Sequence, residues 1–104
     1  MGVDAREGFE ELVKNYPQHS LANNAQYWMG ETYSAKKEYK KAIEEFQKVL
    51  ANYPNGNKAP SALYKIGLTR DKLHDSDGKG AAWKELIEKY PNTDEARLAK
   101  DKMR

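Results

Sequence analysis

Few residues in this chain have both the type and the spacing that chemistry requires. Its two histidines, His19 and His74, stand 55 positions apart, and no carboxylate pattern accompanies them at metal-ligand spacing. Asp75-Ser76-Asp77-Gly78 opens like a calcium loop, but such a loop needs a third oxygen-bearing residue and a glutamate further on. An Asx-type turn is the simpler reading. The serines have no histidine–acid partners, and no glycine-rich phosphate loop is present. With no cysteine, disulfides and thiolate metal sites are excluded, and nothing follows about redox compartment. The sequence thus predicts no catalysis, no cofactor and no metal. Binding is the chemistry left open, and the residues suited to it are aromatic: Tyr27, Trp28 and Tyr64.

Composition narrows the partner. Net charge is +2, from 18 basic and 16 acidic residues finely interspersed. The densest basic cluster, Lys36, Lys37, Lys40 and Lys41, is diluted by Glu38, Glu44 and Glu45. It reads as a solvated helix face, not a nucleic-acid or acidic-membrane footprint. No run of 18 apolar residues occurs, so no membrane insertion is expected, and the start MGVDAREGFEEL has no apolar signal-peptide region. A first helix beginning within a few residues of the start fits a fragment of a longer protein.

The elements that must position the aromatics repeat along the chain. Phe9, Phe46 and Trp83 stand 37 residues apart, as do Leu12, Val49 and Leu86, and the pairs Tyr16-Pro17, Tyr53-Pro54 and Tyr90-Pro91. Gly30 recurs as Gly67, Tyr27 as Tyr64, and Ala22 as Ala59 and Ala96. A period of 20–50 residues signals a stacked repeat. Apolar spacing of three and four predicts helices. The first carries Ala5, Phe9, Leu12, Val13 and Tyr16, opened by an Asp4–Glu7 capping box and ended at Tyr16-Pro17. The second, Leu21 to Lys36, faces inward with Ala22, Ala25, Met29, Thr32 and Tyr33. The third, Tyr39 to Asn52, has the stripe Tyr39, Ala42, Ile43, Phe46, Val49, Leu50 and Tyr53. The fourth, Lys58 to His74, carries Ala59, Ala62, Leu63, Ile66 and Leu73 inward, with Pro60 tolerated in its first turn. The fifth, capped by Asp77, carries Trp83, Leu86, Ile87 and Tyr90. The last, from Asp94, carries Ala96, Ala99 and Met103. Gly30 costs about 1 kcal/mol of helix propensity against alanine, so a neighbouring helix is expected to cross there.

Within Asn23–Pro54, the order Met29, Gly30, Tyr33, Ala42, Phe46, Pro54 resembles a tetratricopeptide repeat (TPR). A second unit keeps Ile66, Gly67, Trp83, Leu86 and Pro91 but has Arg70 for the aromatic and Lys79 for the alanine. The resemblance implies an all-α, right-handed superhelix of antiparallel helix pairs, about six helices forming a single domain over 1–104. Residues 5–17 would be the second helix of a truncated repeat, 21–54 a full repeat, 58–91 a full but degenerate one, and 94–104 a capping helix.

In such an array the first helix of each pair lines the concave face. The register places Asn24, Tyr27, Trp28, Glu31 and Ser34 there from the second helix, and Ser61, Tyr64, Leu68, Asp71 and Lys72 from the fourth. Two readings stand for Tyr27, Tyr64 and Trp28. They anchor a partner segment, or they seal the contact between adjacent units. The terminal-carboxylate clamp of chaperone-binding TPR domains is absent, since Tyr27 and Glu31 stand where that clamp needs lysine and asparagine. A helix or extended segment read by aromatic and mixed polar contacts fits better.

The phrases FEELVKNYP, AQYWMGETYSAKKEYKKAIEEFQKVLANYP and KAPSALYKIGL resemble the C-terminal domain of the YbgF/CpoB family of Tol–Pal-associated proteins. That resemblance implies periplasmic residence and binding to TolA and to the peptidoglycan synthesis machinery at division. Two other roles remain open. One is a TPR subunit of a bacterial outer-membrane assembly complex. The other is a self-association module, a homo-oligomer through the uncovered stripe Phe9, Leu12 and Val13 of the first helix.

Overall fold

The computed structural model describes residues 5–103, with side chains from Glu7 onward. Six helices follow one another: α1 (Ala5–Asn15), α2 (Ser20–Ala35), α3 (Tyr39–Asn52), α4 (Ala59–Lys72), α5 (Ser76–Lys89) and α6 (Asp94–Lys102). Each packs on the next, and α4 also touches α6. The stack measures 45 × 27 × 18 Å, the elongated shape of a layered array. Between α3 and α5 an open cleft of about 590 Å³ runs over Leu63 and Ile66 of α4, flanked by Leu50 and Ala51 on one side and Ala81 and Ala82 on the other. α4 packs on α6 and is linked to α2 by the Lys65–Glu31 pair, while the cleft separates α3 from α5. The stack therefore curves with α2, α4 and α6 on its inner face, an all-α superhelix of the expected kind.

Close approach of paired helices depends on the two repeated glycines. A Cβ built on Gly30 would lie 2.5 Å from ring atoms of Phe46, and one on Gly67 would lie 2.5 Å from Cδ1 of Trp83. The crossing helix expected at Gly30 is thus present, and its counterpart recurs one period later. Phe46, Val49, Trp83 and Leu86 form the buried centre with Leu63, Ile66, Ala42, Ala62, Ala96 and Ala99.

The turns repeat as closely as the core. Lys37 and His74, 37 positions apart, both adopt a left-handed backbone with φ of 63° and 61°. The amide of Lys37 donates to Ser34 O and that of Glu38 to Tyr33 O, both at 2.9 Å; His74 and Asp75 repeat this to Asp71 O (3.0 Å) and Arg70 O (2.8 Å). These are Schellman-type helix ends, which satisfy carbonyls that the last turn leaves open. At the opposite edge the Tyr53 hydroxyl donates to Pro17 O (2.9 Å) and the Tyr90 hydroxyl to Pro54 O (2.6 Å). The recurring Tyr-Pro pair thus ties each inter-repeat loop to the one before it.

Several local expectations need correction. Asp75, not Asp77, caps α5, accepting the Gly78 amide at 2.9 Å and pairing with Arg70 at 3.2 Å. Its carboxylate is committed to a helix start, and Asp77 falls inside the first turn. Leu73 and Met103 are not inward but 37% and 48% exposed. Each is the C-cap residue of its helix, where the chain has already left the packed face. Tyr16 is exposed too, and Phe9, Leu12 and Val13 are only half-buried. Asp4 and the Ala5 side chain lie outside the described residues. Among the described residues no helix is long and apolar enough to cross a membrane.

Candidate partner-binding face

The inner face is assembled by short links between successive first helices. His19 starts α2, its Nδ1 accepting the Leu21 amide at 3.0 Å, and Thr93 starts α6 by accepting the Ala96 amide at 3.1 Å. Between α2 and α4, Lys65 pairs with Glu31 at 3.5 Å. Between α4 and α6, the Ser61 hydroxyl donates to Glu95 Oε2 at 2.6 Å. Glu31 of α2 thus faces α4, and Ser61 of α4 faces α6.

At one end of this face stands an aromatic–cation cluster. Tyr27 and Trp28 meet edge to face, centroids 5.2 Å apart. Lys58 Nζ lies 4.9 Å from the Tyr27 centroid and 5.3 Å from that of Trp28, within cation–π range. Trp28 is 43% exposed. Lys58 has no ion pair among the described residues, whereas Lys65 and Lys79 each hold a carboxylate.

Tyr27 itself is not the exposed anchor that the register suggested. It is only 6% exposed, with its ring 5.5 Å from Phe46 and capped from outside by Lys58 and Trp28. Burial above all, with Glu31 and Glu95 adding repulsion, pushes its phenol well above the ordinary range. Tyr27 thus packs into the core, and Trp28 is the exposed ring of the two. Tyr64 is half-buried and stacked on Trp83, centroids 5.6 Å apart and planes 8° apart. Leu68 packs against the core edge.

The remaining expected residues scatter. Asp71 is exposed but turned to α5, where it pairs with Lys79 at 3.1 Å. Lys72 is exposed and Ser34 half-buried, each towards the far end of its helix. Asn24 is half-buried, its Oδ1 enclosed and without a donor. Sequence reasoning missed Lys58, Lys65 and Glu95. The period could have found them, since Lys65 sits 37 positions after Trp28, and Glu95 sits 37 after Lys58. By that same register the exposed Leu21 stands with Lys58, and the exposed Leu98 with Ser61. Apolar surface at both ends of the array thus falls on inner-face positions.

This geometry agrees with the comparison to known families. The sequence model of the tetratricopeptide repeat family matches residues 24–56 and 61–93, well over half the chain. The chain belongs to the tetratricopeptide repeat family. No curated protein matches it. Membership makes a protein–protein interaction scaffold the coarse function, since TPR domains generally bind proteins and carry out no chemistry. Among the described residues no group of three or more His, Asp or Glu side chains could hold a metal ion. The inner face of this TPR array offers instead an indole, an unpaired ammonium and a row of linked polar groups.

Proposed function

We propose that this TPR domain is a non-catalytic scaffold that holds a segment of a partner protein along the face formed by α2, α4 and α6. The observation that carries the reading is the Trp28–Lys58 pair: an exposed indole beside a cation that forms no ion pair among the described residues. A partial apolar surface next to an unsatisfied charge is suited to a segment that presents an apolar side chain with an acidic neighbour. The resemblance of FEELVKNYP and KAPSALYKIGL to the YbgF/CpoB family makes TolA the first partner, the peptidoglycan synthesis machinery the second, and the periplasm the compartment. In this reading the domain coordinates envelope constriction with wall synthesis at division.

Calorimetric titration of the domain with TolA tests it. Trp28→Ala should weaken binding by about 2 kcal/mol or more, as central aromatic anchors do, with helical content unchanged. Lys58→Met should weaken it less and reduce its salt dependence. Binding that survives both substitutions intact would overturn the reading.

A second reading, self-association, rests on α1. Phe46 and Val49 are fully buried, while their period-mates Phe9 and Leu12 remain half-buried. A strictly monomeric sedimentation profile at high concentration would rule out pairing through that stripe.

A further inference from the structure

The loop between α3 and α4 carries Asn55 followed by Gly56. Asn55 is exposed, and both residues line an open cleft of about 920 Å³ at the edge of the array, where water enters freely. The glycine is there for space and not for backbone freedom, since no glycine among the described residues has a positive φ. A Cβ on Gly56 would lie 2.6 Å from Asn23 Nδ2. Asn23 is buried, and that nitrogen donates to Asn57 Oδ1 at 2.6 Å, so moving it aside breaks a bond. Packing of α2 against the loop thus obliges Asn55 to have a neighbour without a side chain.

Such a neighbour has a chemical consequence. The backbone nitrogen after an asparagine can attack the side-chain carbonyl carbon, and a side chain on that next residue hinders the approach, whereas glycine permits it. Of the seven asparagines, Asn15, Asn23, Asn24 and Asn52 lie in helices. There fixed dihedrals and an intrahelical bond hold the next nitrogen away from the side chain. Asn57 and Asn92 lie in loops but precede Lys58 and Thr93. Asn55 combines an open loop with a following glycine. Asp77-Gly78 resembles it in sequence, but lies in the first turn of α5, with the Gly78 amide bound to Asp75 at 2.9 Å.

We propose that Asn55 is a site of spontaneous deamidation whose rate is gated by the tie between the inter-repeat loops. The Gly56 nitrogen gives its proton to water, bonds to Asn55 Cγ and expels the side-chain nitrogen as ammonia, leaving a cyclic imide. Water then opens the imide at either carbonyl. The product is an aspartate, or an isoaspartate in which the main chain runs through the side-chain carbon. The sum is asparagine plus water giving acid plus ammonia, with nothing oxidised or reduced. The gate is the Gly56 amide, which donates to Tyr53 O at 2.9 Å, a bond that must break before the nitrogen can attack. Tyr53 is in turn tied by its hydroxyl to Pro17 O at 2.9 Å, so this link sets how often the loop opens. The isoaspartyl product lengthens the main chain just before Gly56 and drives it against Asn23. This chemistry is independent of the partner face.

Incubating the full chain at neutral pH, then mapping its tryptic peptides by mass spectrometry and labelling with isoaspartyl methyltransferase, tests the proposal. Deamidation at Asn55 is expected ahead of the other six asparagines, with isoaspartate among the products. Asn55→Ser should abolish the isoaspartyl label. Tyr53→Phe, at unchanged helical content by circular dichroism, should raise the rate at Asn55 about fivefold, the weight of one lost hydrogen bond. The urea-unfolded chain should react faster still. The isoaspartyl fraction, separated by ion exchange, should unfold at lower urea than the Asn55→Asp variant, which carries the same charge on a main chain of normal length. Modification first at Asn57 or Asn92, an unchanged rate in folded Tyr53→Phe, or equal stability of the isoaspartyl fraction and Asn55→Asp would each overturn the proposal. If partner titration succeeds while Asn55 stays intact, this inference fails and the scaffold reading stands.

Discussion

The indole of Trp83 occupies the space that a side chain at Gly67 would need. Its Nε1 also donates to Tyr64 O at 3.2 Å, and the Tyr64 ring stacks on it, so the indole is held and cannot step aside. One period earlier the Phe46 ring fills the same place at Gly30. Gly80, in the first half of α5, has nothing within 4 Å of an added Cβ.

The same substitution should therefore have opposite signs at two sites. Gly67→Ala is expected to destabilise by about 1–3 kcal/mol through overpacking, despite a propensity gain of about 1 kcal/mol. Gly80→Ala should stabilise by about 0.5–1 kcal/mol. Urea denaturation of the two variants reads both values, and equal signs would disprove the packing argument.

A buried polar pair distinguishes the first helix hairpin from the second. Gln26 Nε2 donates to Glu45 Oε1 (2.8 Å) and to Glu45 O (3.0 Å), while Lys48 pairs with the other carboxylate oxygen at 3.3 Å. One period on, the same places hold Leu63 and Ala82. Gln26→Leu alone leaves Glu45 Oε1 without its buried donor and should cost about 1–3 kcal/mol. The double variant Gln26→Leu with Glu45→Ala should return to within about 1 kcal/mol of the parent. A double-mutant cycle measures the coupling, and additive losses would show that the pair does not act as one.

His74 holds a left-handed backbone that L side chains adopt at a cost. His74→Gly should raise stability by about 0.5–1 kcal/mol, which for a domain of this size is roughly 3–6 °C in Tm. A thermal scan showing no rise would mean that the histidine makes a compensating contact.

Tyr27 predicts an alkaline limit. Its phenol is raised in the folded state, by burial first and by Glu31 and Glu95 next. Folding therefore favours the protonated form. That stabilisation is fully present below the unfolded value of about 10 and is lost as pH rises beyond it. Stability measured from pH 8 to 11 should fall less steeply in Tyr27→Phe than in the parent. Superimposable curves would exclude Tyr27 as the cause.

The sequence by itself determined the architecture, because local chemistry repeats with the chain. Glycine opposite a large ring, Tyr-Pro at the loop and the three-and-four spacing of apolar residues each act over one hairpin, so a period of 37 carries helix number, order and pairing. The third helix was legible to the residue, since it buries a single stripe. Only the tertiary structure decided which inner-helix residues are free. α2 is enclosed by α1 and α3, and the start of α4 reaches it through Lys58. Its buried set includes Asn23, Gln26 and Tyr27 as well as the expected Ala22, Ala25 and Met29. A helix covered on several sides has no single apolar stripe to read. Tyr27 therefore went to the core and Trp28, its neighbour in sequence, to the surface. Lys58 entered the site from another helix, across a gap of 30 residues from Trp28 that no local pattern spans.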